Sequence, residues 1–212
     1  MPEEKSHPKL FNIANILTGI RIIIVPAVLV FLWLVRPETR EVDWFSLKVP
    51  HPEGHNQIFC ALACGLFVLA SITDLLDGWL ARKYQLITNL GKLLDPLADK
   101  ILVMGSMVML VELNRLPGWM VVVIIARELA ITSLRSIAST EGIVISASRL
   151  GKYKTLFQVL SLAFVILYYP IGPVNIYAIG MVFFVVAFIF TLWSGADYFY
   201  QFRRVFSTKK AG

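Results

Sequence analysis

Four aspartates lie close together where two hydrophobic segments of a very apolar chain meet, and charge next to a membrane span is expensive and usually functional. Asp74 and Asp77 are three residues apart, and Asp95 and Asp99 are four apart, so each pair lies on one face of a helix. Two such helices facing each other would bring together four carboxylates that repel one another. Divalent cations would neutralise this cluster, and hard cations such as Mg²⁺ take oxygen ligands. The spacing therefore predicts a site for divalent cations.

Small residues accompany the aspartates, and the whole stretch reads D-x2-D-G-x2-A-R-x8-G-x3-D-x3-D. Gly78 and Ala81 each follow one of the first two aspartates by four residues, and Gly91 precedes the third by one turn. Small side chains at these positions would let a bulky planar group approach the backbone. Taken singly, any one of the aspartates could instead be an ordinary residue at a helix end.

The composition indicates a membrane protein, because 57% of the 212 residues are hydrophobic and only 16% are charged. Soluble domains run near 45–50% apolar and about 25% charged. A transmembrane helix needs roughly 20 mainly apolar residues. Six segments are candidates, at residues 13–35, 58–80, 93–113, 119–138, 156–169 and 176–196. We therefore predict an all-α, polytopic membrane protein with six transmembrane helices, a single catalytic domain over residues 1–200, and a basic cytoplasmic tail over residues 201–212.

The distribution of lysine and arginine predicts the orientation. With six spans, both termini lie on one side, together with sixteen of the twenty basic residues. The other side has only Arg36, Arg40, Lys48 and Arg115. We therefore expect a multi-pass protein of the cell (inner or plasma) membrane, with both termini and the aspartates on the cytoplasmic face. The net charge of +6 fits a basic rim that attracts anionic membrane lipids, and no nucleic-acid-binding module is visible.

The aspartate motif matches, without a gap or substitution, the signature of the CDP-alcohol phosphotransferase family. The resemblance covers about residues 10–200, and the opening NIANILTGIRIIIVP is similar to the first helix of that family. The segments LLDPLADKIL, IARELAITSLRSIASTEG and GKYKTLFQ resemble the branch that joins CDP-diacylglycerol to glycerol 3-phosphate. The resemblance implies the CDP-alcohol phosphotransferase fold, phosphatidyl transfer with release of CMP, and a homodimer.

The resemblance also implies roles for the four aspartates. Asp74, Asp77 and Asp95 would bind two divalent ions, Mg²⁺ or Mn²⁺. Asp99 would be the general base and also belongs to the metal-binding set. This agrees with the chemistry, since metals neutralise the charge that develops on a pyrophosphate and a carboxylate can take the proton of the attacking hydroxyl. The motif contains neither cysteine nor histidine, which favours direct displacement over a covalent intermediate.

Six residues would bind the CDP group by the same resemblance. They are Gly78, Ala81, Arg82, Gly91, Asn15 and Thr18. Arg82 would hold the phosphates, although it could instead be a cytoplasmic anchor that snorkels. Asn15 and Thr18, one turn apart, could instead form hydrogen bonds between helices. Arg21, a further turn along, would give electrostatic support.

The acceptor site needs positive charge, because glycerol 3-phosphate is a dianion. The candidates are Arg127, Arg135 and Lys152, followed by Arg149 and Lys154. Arg127 interrupts an apolar run and is therefore not expected to face lipid. Its alternative role is a structural ion pair with Glu128 or with one of the aspartates. Arginine presents a planar fork that suits phosphate, and lysine adds a point charge.

Two other functions fit parts of the pattern. An enzyme of the same fold could use another acceptor, such as the phosphatidylglycerol used by cardiolipin synthase. The basic residues between positions 127 and 154 favour a phosphorylated acceptor over serine or phosphatidylglycerol. A divalent-cation transporter would place its carboxylates near the membrane midplane and often repeat half of its sequence. Here the aspartates are predicted at the cytoplasmic edge, and the sequence shows no clear repeat.

Overall fold

The computed structural model describes residues 13–36, 54–84, 89–140 and 149–210, and the side chains of residues 19–36, 54–76, 98–140, 151 and 153–203. These residues form six α-helices and no β-strand beyond one isolated bridge. The helices are α1 (Ile13–Leu34), α2 (Gly54–Tyr84), α3 (Asn89–Glu112), α4 (Gly118–Thr140), α5 (Arg149–Leu167) and α6 (Ile176–Lys210). The prediction of an all-α chain with six helices is confirmed.

The helices match the six predicted segments, and the differences lie at their ends. Helix α2 runs beyond its apolar segment at both ends, and α5 already begins at Arg149. Helix α6 continues to Lys210, so most of the residues predicted as a tail extend the last helix. Residues 202–210 contain neither glycine nor proline, so nothing in their sequence stops the helix.

Within the described residues, two helices are long and apolar enough to cross a membrane, over Gly54–Leu76 and Ile176–Arg203. Shorter apolar helical stretches lie at Gly19–Leu34 and Tyr153–Leu167. Large apolar side chains such as those of Ile23, Leu75 and Val182 are exposed. Extended apolar surface of this kind needs a covering, which a lipid bilayer would supply.

The chain forms two compact units, and the boundary between them falls within α3. The first unit comprises Met1–Arg36 and Pro52–Met109, and the second comprises Pro37–His51 and Leu110–Gly212. The assignment of residues 1–200 to a single domain stays a prediction.

In the first unit, α1 packs against α2 through apolar side chains. Val28 and Leu32 of α1 and Phe67 of α2 are fully buried. Helix α3 approaches α1 at Gly105, where an added Cβ atom would lie 3.1 Å from the Leu29 side chain. These contacts hold α1, α2 and α3 together, and α2 and α3 carry the aspartate motif.

In the second unit, α5 and α6 form the most extensive helix pair. They approach each other closely at Gly180, whose carbonyl accepts a hydrogen bond of 2.9 Å from the buried hydroxyl of Ser161. A Cβ atom at Gly180 would lie 2.8 Å from Val165 Cγ2 and 3.1 Å from the Val165 backbone nitrogen. The absence of a side chain at position 180 is therefore a condition for this packing.

Arg115 joins the two helix connections of the second unit. Its side chain is 2% exposed, its Nη1 donates to the Ile166 carbonyl at 3.2 Å, and its guanidinium lies 3.8 Å from the Tyr168 ring centroid. The Tyr177 hydroxyl donates to the Arg115 carbonyl. The α3–α4 connection is thereby fixed against the α5–α6 connection. Arg115 thus has a structural role, which could not be inferred from its positive charge.

Replacing Gly180 by alanine should lower the melting temperature of the purified protein. The new methyl group meets a backbone nitrogen that cannot rotate away, and overpacking typically costs about 1–3 kcal/mol. Gly65→Ala is the matched control, because an added Cβ atom there has no described neighbour within 4 Å and alanine favours the helix by about 0.5–1 kcal/mol. Equal melting temperatures for the two variants in detergent would contradict the close approach of α5 and α6.

Candidate functional site

The aspartate motif occupies the end of α2 and the beginning of α3, as its spacing predicts. Asp74 and Asp77 lie in α2 together with the small residues that follow them, whereas Asp95 and Asp99 lie in α3. Each pair is therefore helical. Residues 85–88, between the two helices, lie outside the described part of the chain.

Asp74 forms an ion pair with Arg21. Its Oδ1 lies 2.8 Å from Nη1 of Arg21, which projects from α1 and is fully buried, whereas the Asp74 side chain is 40% exposed. A buried guanidinium needs a counter-charge, and Asp74 supplies it. The electrostatic role predicted for Arg21 thus has a geometric basis. Arg21 holds one oxygen of a predicted metal ligand.

The carboxylate oxygens of the aspartate motif are suitable ligands for a divalent cation. A carboxylate has two oxygens and about four acceptor positions, so one contact with Arg21 does not exhaust the ligand capacity of Asp74. Asp99, the predicted general base, is partly buried and follows the buried Ala98. Among the side chains that the structure describes, no three His, Cys, Asp or Glu residues cluster as a metal site. The side chains of Asp77 and Asp95 are outside that set.

The residues predicted to bind CDP also fall outside the described side chains. They are Asn15, Thr18, Gly78, Ala81, Arg82 and Gly91. The backbone places the first two in α1, the next three in α2 and Gly91 in α3. Their roles stay predictions, as do those of Arg149 and Lys152 at the beginning of α5, whose side chains are likewise not described.

In the second unit, Glu128 joins two of the predicted acceptor residues. Nη1 of Arg127 donates to Glu128 Oε1 at 2.8 Å, and Nζ of Lys154 donates to the same oxygen. Arg127 also donates through Nη2 to Ser194 Oγ at 2.7 Å. Helices α4, α5 and α6 are therefore connected through one arginine and one glutamate. This is the ion pair considered above as the alternative role of Arg127.

The group formed by Arg127, Glu128 and Lys154 has a net positive charge. Arg127 and Lys154 together carry two positive charges, and Glu128 offsets one of them. Arg135, eight residues after Arg127, adds a further charge and lies over the ring of Tyr198, 5.4 Å from its centroid. A phosphate dianion would thus meet fixed cations, with one carboxylate holding two of them in place.

Three residues of α6 were missed by reasoning from the sequence. Ser194 and Gly195 contact Arg127, and Tyr198 contacts Arg135. The sequence shows Ser194 and Gly195 as a small polar residue and a glycine inside an apolar segment. This pattern could not identify the contact, because it also occurs wherever two membrane helices pack closely.

A double-mutant cycle should show that Arg21 and Asp74 are coupled. We expect Arg21→Met and Asp74→Asn each to lower stability in EDTA, because each removes one member of the ion pair. The double variant should lose less stability than the two single variants lose together, and the difference should be roughly 0.5–3 kcal/mol.

The control for this cycle is Arg36→Met, combined with Asp74→Asn. Arg36 is an exposed cation just after α1, about 22 Å along the helix from Arg21, so this pair should be additive. Thermal unfolding in detergent measures each variant. If the stability losses of Arg21→Met and Asp74→Asn were also additive, the ion pair between the two residues would be contradicted.

Comparison with known proteins agrees with the motif. The family model described as CDP-alcohol phosphatidyltransferase matches residues 11–193. A protein of Bacillus subtilis named CDP-diacylglycerol–glycerol-3-phosphate 3-phosphatidyltransferase is 39% identical, over 90% of this chain and 94% of its own. A Mycobacterium tuberculosis protein named probable phosphatidylglycerophosphate synthase is 35% identical, over 90% of this chain and 81% of its own.

A Rickettsia felis protein with the same name as the Bacillus one is 31% identical, over 92% of this chain and 97% of its own. The relatives and the family model therefore extend across the helices of both compact units, well beyond the aspartate motif. The resemblance found in the sequence is confirmed, and this chain belongs to the CDP-alcohol phosphatidyltransferase family.

Proposed function

We propose that this protein transfers the phosphatidyl group of CDP-diacylglycerol to the free primary hydroxyl of glycerol 3-phosphate, giving phosphatidylglycerophosphate and CMP. The observation that carries this proposal is the complete aspartate motif, in a chain similar over most of its length to proteins named for this reaction. The basic residues of the second unit support a phosphorylated acceptor.

The first unit binds the donor. Asp74, Asp77, Asp95 and Asp99 form the binding set for two divalent ions, Mg²⁺ or Mn²⁺. When bound, these ions neutralise the pyrophosphate and stabilise the negative charge of the leaving CMP. Arg21 holds Asp74 in place from α1.

The nucleotide and phosphates of the donor are bound around the same motif. The residues that contact them are Gly78, Ala81, Arg82, Gly91, Asn15 and Thr18. Arg82 contacts the phosphates, and the glycines leave room for the nucleotide near the helix backbone.

Asp99 starts the chemical step. Its carboxylate takes the proton of the primary hydroxyl, and the resulting oxygen attacks the phosphorus that carries the diacylglycerol. The bond from that phosphorus to the bridging oxygen breaks, and CMP leaves with the electron pair. Two hydroxyls near the motif are engaged elsewhere, since Ser71 donates to the Phe67 carbonyl at 2.9 Å and Thr73 to the Ala70 carbonyl at 2.8 Å. Both contacts support direct displacement, without a serine or threonine nucleophile.

The second unit binds the acceptor phosphate. Arg127, Arg135 and Lys152 supply the main contacts, with Arg149 and Lys154 beside them. Arg127 and Lys154 are held by Glu128, which limits their movement before the acceptor binds. Preorganised cations lose little conformational entropy when the phosphate arrives.

The protein is a multi-pass, homodimeric protein of the cell membrane. Both termini and the catalytic residues face the cytoplasm, where CDP-linked and phosphorylated substrates are found. The exposed apolar side chains of the helices meet lipid, and the basic cytoplasmic residues attract anionic head groups.

Purified protein in detergent should release CMP from CDP-diacylglycerol only when Mg²⁺ and glycerol 3-phosphate are both present. EDTA should stop the release, and added Mg²⁺ or Mn²⁺ should restore it. Chromatographic detection of CMP, with serine and phosphatidylglycerol as comparison acceptors, measures this directly. If serine or phosphatidylglycerol supported the release of CMP and glycerol 3-phosphate did not, the proposed acceptor would be wrong.

Asp99→Asn should lower turnover by roughly 10²–10⁴-fold, the usual contribution of a general base. The amide cannot take a proton but keeps one oxygen ligand, so Mn²⁺ binding followed by electron paramagnetic resonance should persist. Glu112→Gln, an exposed acid at the far end of the same helix, is the control and should leave turnover unchanged. Full turnover in Asp99→Asn would remove Asp99 as the base.

A further inference from the structure

Helix α6 carries buried polar residues on a face that packs against α4. Thr191, Ser194 and Tyr198 recur at spacings of three and four, so they share one side of the helix, and all are buried. Gly195 lies beside them. The three positions that contact arginines of α4 are called the α6 strip: Ser194, Gly195 and Tyr198. Nothing in the motif or in the resemblance assigns a role to them.

The first part of the strip holds Arg127. Ser194 Oγ donates to the Thr191 carbonyl at 3.3 Å, which points its proton along its own helix and leaves the oxygen to accept from Arg127 Nη2 at 2.7 Å. A Cβ atom at Gly195 would lie 3.2 Å from Arg127 Cγ and 3.4 Å from Nε. The glycine thus makes room for the stem of the arginine, and the serine fixes its end.

The second part of the strip supports Arg135. The guanidinium carbon lies 5.4 Å from the centroid of the Tyr198 ring, within the range of a cation–π contact. Tyr198 is only 4% exposed, and no described residue forms a hydrogen bond with its hydroxyl. A buried hydroxyl without a partner is unfavourable, so its presence indicates a use that the other contacts of Tyr198 do not explain.

The strip contacts both arginines within a short length of α6. Arg127 and Arg135 are eight residues apart, about 12 Å along α4, whereas Ser194 and Tyr198 are four residues apart, about 6 Å along α6. The two arginines therefore contact residues that belong to a single turn of α6. Guanidinium groups suit phosphate, and two of them held by neighbouring residues of one helix could serve one anionic group.

We infer that the α6 strip positions the arginines of the acceptor site and that the Tyr198 hydroxyl binds the acceptor itself. Ser194 and Gly195 are positioning residues for Arg127, and Tyr198 supports Arg135 while its hydroxyl donates to an oxygen of a small phosphomonoester. This inference rests on the proposed function. It assigns the strip an effect on acceptor affinity alone, because none of the contacts that the structure describes for the strip involves the aspartate motif.

The first test compares Ser194→Ala with Thr191→Val. Loss of the hydrogen bond to Arg127 should raise KM for glycerol 3-phosphate about tenfold, as expected for a bond to a charged group, and leave KM for CDP-diacylglycerol unchanged. Thr191→Val is the matched control, because the Thr191 hydroxyl donates only to the Ala187 carbonyl of its own helix and should not affect either KM. An unchanged KM in Ser194→Ala, or an equal rise in Thr191→Val, would overturn the positioning role.

The second test uses Tyr198→Phe, which removes only the hydroxyl. Because that hydroxyl has no described partner, the melting temperature without substrate should stay the same or rise. At the same time KM for glycerol 3-phosphate should increase several-fold, and the rise in melting temperature caused by glycerol 3-phosphate should shrink. A purely structural hydroxyl would give the opposite pattern, with lower stability and unchanged KM, and that result would overturn the role of Tyr198.

The wild-type protein separates this inference from the proposed function. If it releases no CMP with glycerol 3-phosphate, the proposed function fails and the role of the strip fails with it. If it is active while Ser194→Ala and Tyr198→Phe keep the wild-type KM, only the inference about α6 is wrong.

Discussion

Charged side chains inside apolar helices need counter-charges, because little water is available to solvate them. Arg21 meets this requirement through Asp74, and Arg127 and Lys154 meet it through Glu128. Each pairing also joins helices: the first connects α1 to α2, and the second connects α4 to α5, with Ser194 adding α6. The groups that would perform the chemistry therefore also restrict how the helices can pack. A change in any of these charges should affect both the stability of a unit and the binding of a substrate.

The candidate binding residues of the two compact units carry opposite charges, although both substrates are anionic. The first presents carboxylates, which can bind a pyrophosphate only through divalent cations. The second presents fixed cations, of which Glu128 offsets one. This difference gives each substrate its own means of recognition. In the proposed function, the donor depends on metal, whereas the acceptor depends on arginine and lysine side chains and on the residues of α6 that hold them.

Much of the fold could be predicted from the sequence, because apolar segments about as long as a bilayer is thick rarely form anything but helices. The first segment, predicted at residues 13–35, forms a helix over Ile13–Leu34. The aspartate pairs were placed on α2 and α3 because spacings of three and four have one simple meaning in a helix. The contact between Arg127 and Ser194, 67 residues apart, could not be predicted, since periodicity shows which face is polar but not which helix meets it. The burial of Arg115 escaped prediction for the same reason, because its partners lie more than fifty residues away.

In the proposed mechanism, the primary hydroxyl of glycerol 3-phosphate attacks the phosphorus that carries the diacylglycerol. Glycerol 3-phosphate labelled with ¹⁸O at that hydroxyl tests this step, with mass spectrometry of both products. The label should enter the new phosphodiester of the lipid, and the CMP should be unlabelled. Attack on the other phosphorus would instead give phosphatidate and a labelled cytidine phosphodiester of glycerol 3-phosphate. A labelled acceptor left unchanged while CMP accumulates would mean that no phosphatidyl group is transferred to it. Either result would contradict the mechanism.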